Sequence, residues 1–227
     1  MKLKTIPLSV NLIKTIWIEA FKGKSLCRIL MNYSLSQLEL TGEILDLGSG
    51  SKAASYNRFL QYKKPFKIIR SDFHKKGKNL VRINLEKPFN LGQKRFDFVT
   101  CFNVLEHIYD FKNVVREAHK ILKKGGFFVG ATPFSIGFHP DPNDYFRYTH
   151  QALLRIFREE KYNCQRIIYL GFGPFSLAVD QWIEITPRIL RSFLFYIHIF
   201  ADLLLTKYSR YFRMKHPLGH IYIFEKC

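Results

Sequence analysis

The stretch Glu43 to Gly50, EILDLGSG, constrains this chain more than any other. Ile44, Leu45 and Leu47 read as a short buried strand, and Gly48 and Gly50 let the backbone turn tightly and let a ligand approach it closely. Residues 51–62 follow as a predicted helix, whose free N-terminal N–H groups would face a carboxylate or phosphate. On its own such a turn also occurs as a strand-to-helix connection that binds nothing.

The same alternation continues downstream. Strands are predicted over 66–71, 80–83, 96–102, 127–131, 166–170 and 220–224. A helix over 111–122 repeats apolar residues at helical spacing and ends at Gly125-Gly126, and another over 149–160 has Thr149 as its N-cap. Residues 1–40 read as a helical extension, with Leu12, Ile13, Ile16, Trp17 and Ala20 on one face. The expected fold is α/β: a doubly wound, Rossmann-like, seven-stranded and mostly parallel sheet with helices on both faces. Residues 41–170 and 219–227 form its core, and a helical insert over 171–218 precedes the last strand. Ligands of such sheets bind beyond the carboxyl ends of the strands. The informative residues therefore follow strands: Asp72, Asn84, the run Asn103-Val104-Leu105-Glu106-His107, and the polar, aromatic segment 132–148.

Three segments in order, ILDLGSG, FDFVTCFNVLEHIYD and HKILKKGGFFVGATP, resemble the class I S-adenosylmethionine-dependent methyltransferases, closest to the branch called type 11. The resemblance covers about residues 43–133. It implies that Asp46, Gly48, Ser49 and Gly50 cradle the methionine part of S-adenosyl-L-methionine. It further implies that Asp72 holds the ribose hydroxyls, that Asn84 and Leu85 face the adenine, and that Asn103 and Val104 line the pocket floor. Glu106 and His107 would lie just beyond. The chain departs from the family pattern at Ser51-Lys52, Asn84 and Lys124, where a glycine, an aspartate and a proline are common. No Asn-Pro-Pro-Tyr-like run and no Pro-Cys pair occurs, which disfavours methylation of base amino groups and of cytosine carbon.

Methyl transfer from a sulfonium depends mainly on alignment, with a base needed only for a protonated acceptor. His107 or His139 is the candidate base, and Tyr145 and Arg147 either position the acceptor or anchor their loop. The four cysteines are far apart in sequence and form no metal or redox motif, so no metal is expected and a reducing, cytoplasmic setting fits.

The chain carries 36 Lys and Arg against 18 Asp and Glu, a net charge of +18. This is either lysine scattered over a solvated surface or a sign of anionic membrane, nucleic acid or an acidic small substrate as partner. In the insert, the polar residues at 188, 191, 198, 202, 206, 209 and 213 form a narrow stripe on an otherwise apolar helix. With the basic flanks Arg188, Lys207, Arg210 and Arg213 it suits the surface of an anionic membrane, burial in the domain or a homodimer. Arg191, His198 and Asp202 argue against a membrane span. The leading expectation is methyl transfer to a small, lipid-linked or glycan-type acceptor, peripherally on the inner membrane face. An RNA-directed enzyme and a non-catalytic interaction protein of the same fold are the alternatives.

Overall fold

The computed structural model describes residues 2–50, 54–205 and 210–227. Eight strands form one sheet: β1 (Lys2–Thr5), β2 (Glu39–Leu47), β3 (Gln61–Asp72), β4 (Leu80–Arg82), β5 (Phe96–Phe102), β6 (Leu122–Pro133), β7 (Tyr162–Leu170) and β8 (Gly219–Lys226). Their order is β1-β7-β8-β6-β5-β2-β3-β4, and only β8 runs antiparallel to its neighbours. Winding reverses between β2 and β5, so the loops after these two strands open side by side.

Successive side chains of a strand point to opposite faces, and the core divides accordingly. Leu45, Leu47, Val99 and Phe128 pack beneath α3 (Phe111–Ile121) and α4 (His150–Glu159). Ile44, Phe102, Val129 and Ile221 pack against α1 (Val10–Phe21), α2 (Leu26–Leu35), α5 (Pro174–Trp182) and α6 (Arg188–Leu205). A short helix, α7 (Arg210–Lys215), leads into β8. Thr149 caps α4 as expected, its hydroxyl accepting from the Ala152 N–H at 3.1 Å.

Three expectations need correction. The extension is not wholly helical: β1 pairs parallel with β7, Lys2 opposite Arg166, making eight strands rather than seven. Four residues at an edge carry too little pattern to announce a strand; the partner creates it. The helix expected over 51–62 is a single 3-10 turn, Ser55–Arg58, among the described residues. Gln61 and Tyr62 pair with Glu39 and Leu40, so the end of the expected helix is strand. Ser51, Lys52 and Lys207 lie outside the described residues. Finally, α3 ends at Ile121, and Gly125-Gly126 lie inside β6. A Cβ on Gly126 would sit 2.9 Å from the Lys123 carbonyl oxygen and 3.1 Å from that of Asp97. The glycines there permit the bend of β6 beside β5.

His220 on β8 is buried against Tyr169 and Phe134, and neither ring nitrogen has a hydrogen-bond partner. Burial, with a smaller contribution from the charge of His150, lowers its pKa to about 3. A depressed histidine contributes stability that is complete above the unfolded value near 6.5 and is lost as pH falls towards 3. Between pH 7 and pH 4 we expect a loss of about 2–3 kcal/mol from this residue. Urea midpoints measured across that range should fall more gently in His220→Phe, and equal slopes would refute the assignment.

Candidate active site

The loops after β2, β3, β4 and β5 and the segment after β6 enclose one cleft of about 600 Å³. Gly48 and Gly50 form its first wall, Asp72 to His74 the second and Ile83 to Glu86 the third. Val104, His107 and Ile108 close the floor, and Asp141 to Asn143 with Tyr145 close the far end. Of the residues expected to meet the cofactor, Gly48, Gly50, Asp72, Asn84, Leu85 and Val104 thus share one cavity.

The glycine loop is shaped by close approach. Gly48 and Gly50 have φ of +66° and +74°. A Cβ on Gly48 would lie 2.6 and 2.8 Å from the two Val104 methyls, so the loop after β2 rests directly on the loop after β5. Ser71 holds it there: its hydroxyl accepts from the Gly48 N–H at 2.9 Å and its carbonyl from the Gly50 N–H at 3.2 Å. No motif marks Ser71, because its role depends on the β2–β3 register.

Asp72 follows at the end of β3. Its small burial raises the carboxyl pKa. The His74 and Lys75 N–H groups, both 2.8 Å from Oδ1, and the Lys75 charge outweigh this and hold it below the usual range. It stays ionised and accepts hydrogen bonds only, as a ribose diol requires. Asn84 Oδ1 accepts from the Glu86 N–H at 3.0 Å, which turns the loop after β4 towards the cleft.

Three expected contacts do not reach the cleft wall. Asp46 is buried, accepting from the hydroxyls of Thr100 at 2.6 Å and Tyr56 at 2.9 Å. Burial raises its pKa to about 6 against these hydrogen bonds. It therefore braces the loop from below instead of lining the pocket. The Ser49 hydroxyl donates back to the Asp46 carbonyl at 3.3 Å. Asn103, at φ +53°, donates its N–H to Ala131 and sets the turn that presents Val104.

At the far end the histidines expected as alternative bases converge. His107 and His139 rings lie 5.0 Å apart, and between them sits Glu106, 0% exposed. Its Oε1 is 3.8 Å from His107 Nε2 and 4.0 Å from His139 Nε2, and neither carboxylate oxygen has a hydrogen-bond partner. Burial pushes this carboxyl up to about 8. Arg147 proves to be an anchor: its guanidinium grips both oxygens of Asp144, at 2.6 and 2.7 Å, and Asp144 accepts from the His139 N–H at 3.0 Å. Tyr145 lines the cleft, and its N–H donates to the Glu106 carbonyl at 2.9 Å.

A sequence profile of a family described as a methyltransferase domain matches residues 18–163. A ubiquinone biosynthesis O-methyltransferase of Pelagibacter ubique is 29% identical over 128 residues, 56% of this chain and 52% of that protein. The chain thus spans about half the length of that curated relative. Among solved structures, an S-adenosylmethionine-dependent methyltransferase from Mesorhizobium loti superposes with a TM-score of 0.53 at 16% identity, covering 91% of this chain and 100% of the other. The cyclase SpnF gives 0.53 at 11% identity, with 98% of each chain covered. At such identities the likeness concerns the fold, and one fold carries several reactions.

Proposed function

The chain belongs to the S-adenosylmethionine-dependent methyltransferases, with S-adenosyl-L-methionine as its cofactor, and we propose that it methylates a lipid-linked acceptor, small or glycan-bearing, at an anionic membrane surface. One observation carries this reading: α6 is inverted. Phe195 and Ile199 anchor it in the core, but the polar Arg191, Ser192 and Asp202 share that inward face while a row of apolar residues points out. Arg191, Ser192 and Asp202 are buried, whereas Ile189, Phe193, Ile197, Phe200 and Leu204 are each more than half exposed. Beside it α1 exposes Trp17 and Ile18, and Trp17 packs its ring on Phe193 and Tyr196. A continuous apolar face of this kind on a protein of net charge +18 suits insertion into an anionic headgroup layer. Among the described residues no helix is long and apolar enough to cross a membrane, in keeping with attachment at the surface.

The name of the Pelagibacter relative refers to ubiquinone biosynthesis and to transfer onto oxygen. For this chain it supports an acceptor with an apolar anchor. In this reading Gly48, Gly50 and Val104 hold the methionine portion, Asp72 the ribose and Asn84 with Leu85 the adenine. The acceptor enters beside Tyr145 and His107, where Glu106 and His139 complete the wall. Holding the acceptor in line with the sulfonium supplies most of the rate.

Flotation with phosphatidylglycerol vesicles at low salt tests the membrane part. The protein is expected to float with anionic vesicles, and Phe193→Ser/Ile197→Ser to lose at least tenfold in partitioning while S-adenosylmethionine affinity is unchanged. Label from methyl-tritiated cofactor should then enter the organic extract of the membranes. A wild-type protein that ignores the vesicles and scatters light as a dimer would assign the apolar face to a second copy. Salt-sensitive RNA binding without vesicle binding would favour the RNA-directed reading.

A further inference from the structure

We infer that Glu106, His107 and His139 form a binding site for a divalent transition-metal ion of the zinc class, at the acceptor end of the cleft. One ligand atom from each, a carboxylate oxygen and two imidazole nitrogens, lies within 4.8 Å of the other two. The inference rests on the reading of this end as the acceptor site, and it departs from the sequence, in which the three residues form no metal motif.

The orientation of the rings carries the argument. His107 Nδ1 lies 2.6 Å from the Asn143 carbonyl oxygen, so it bears the proton that this oxygen accepts. His139 Nδ1 lies 3.1 Å from the Gly137 carbonyl and 3.3 Å from an Asp144 carboxylate oxygen, both acceptors only and both nearer than the Arg147 guanidinium at 3.4 Å, so it too acts as a donor. With Nδ1 protonated in the neutral ring, the lone pair of each imidazole is at Nε2. Both Nε2 atoms stand nearest the Glu106 carboxylate. Three electron-rich atoms thus converge with no hydrogen-bond donor on the carboxylate. An unpartnered buried acid is costly, and a cation between the three groups removes that cost.

Backbone carbonyl or carboxylate contacts at the far nitrogen of each ring are the usual outer support of metal-binding histidines. The Arg147–Asp144 ion pair adds to this by fixing the His139 backbone. The Glu106 separations of 3.8 and 4.0 Å need a closure of only a few tenths of an ångström to meet an ion at about 2.0–2.2 Å from each ligand, and the two histidine nitrogens, within 4.8 Å of each other, close further by side-chain rotation. Two imidazoles and one carboxylate select zinc, cobalt or iron over magnesium or calcium. Three protein ligands leave coordination positions open, and His107 also lines the cleft, so an acceptor hydroxyl could complete the shell. Binding to the ion would lower the pKa of that hydroxyl, so that its proton passes to solvent, the oxygen takes the methyl group of the sulfonium and S-adenosylhomocysteine leaves.

The test is titration of untagged, chelator-treated protein with Zn²⁺ by calorimetry and with Co²⁺ by visible absorption, with no acceptor present. One ion per chain is expected, with the visible bands of four- or five-coordinate cobalt. His139→Ala and Glu106→Gln should each weaken binding at least 100-fold; the first alters only a surface loop and the second keeps the size of the side chain. S-adenosylmethionine affinity should persist in His139→Ala. Absence of metal binding by the wild-type protein, or undiminished binding in either variant, overturns the inference. Failure of the wild-type protein to bind S-adenosylmethionine would instead count against the methyltransferase site and leave the metal result standing.

Discussion

Replacing Gly48 with alanine is expected to lower S-adenosylmethionine affinity at least 100-fold while leaving the chain folded. Two costs combine. The φ of +66° lies in the left-handed region, where a side chain costs about 1–2 kcal/mol. The new Cβ would also lie 2.6 and 2.8 Å from the Val104 methyls, so Val104 or the loop must move. Either movement disturbs the floor on which the cofactor would lie. Gly50 is the internal control: its φ is +74°, but an added Cβ meets only Asp72 Oδ2 at an ordinary 3.7 Å. Gly50→Ala should therefore cost about tenfold from strain alone. Calorimetric titration of the two variants and of Gly48→Ala/Val104→Ala separates the terms. The double variant should recover the clash and retain the strain. Equal losses at Gly48 and Gly50 would show that the contact with Val104 is unimportant.

The second large effect concerns Arg191. Its buried guanidinium donates to three backbone carbonyls: Thr186 at 3.0 Å, Gly23 at 2.9 Å and Glu184 at 3.1 Å. One side chain thus joins α6 to the turn after α1 and to the turn before α6. Asp202, about three turns along the same face, accepts from the Phe175 and Ser176 N–H groups at 2.9 and 2.7 Å and caps α5. Arg191→Met keeps most of the volume but leaves three acceptors without a charged donor. We expect about 3 kcal/mol of destabilisation, or roughly 6–12 °C in the melting midpoint for a chain of this size. Asp202→Ala should cost about 1–2 kcal/mol through the lost cap. Thermal melts of both, set beside the Phe193→Ser/Ile197→Ser protein, test the inverted orientation. The outward residues should change stability less, because each is more than half exposed in the folded chain. A melt dominated by the outward residues would mean that they are packed, and the apolar face would not be free to meet a membrane.

Much of the fold was legible because it is local. Strand β5 spans the expected residues 96–102, and α3 begins at the expected residue, Phe111, because their apolar spacing is strong. The cleft that Gly48, Gly50, Asp72 and Asn84 share was legible for the same reason. Glycines at a strand end and an acid at the next strand end mark positions, and parallel pairing of β2 with β3 and β5 brings them together. Side-chain direction was not legible. Asp46 belongs to the glycine motif, yet Thr100 on the neighbouring strand and Tyr56 draw it beneath the loop. The polar stripe of the insert was evident, but its direction was not, since a stripe is the same in sequence whether it faces water or buried carbonyls.

By itself the sequence determined a doubly wound methyltransferase fold and the strand-end positions of Gly48, Gly50, Asp72 and Asn84 around one cleft, because periodicity and glycine conformation act over a few residues and survive in any context. Tertiary structure alone decided three things. It placed β1 on the sheet edge, turned the apolar face of α6 outward, and brought His139 to Glu106 and His107 across 32 residues of chain. Each depends on what a backbone group or charged side chain finds opposite it, and that partner is set by register and packing rather than by its neighbours in sequence.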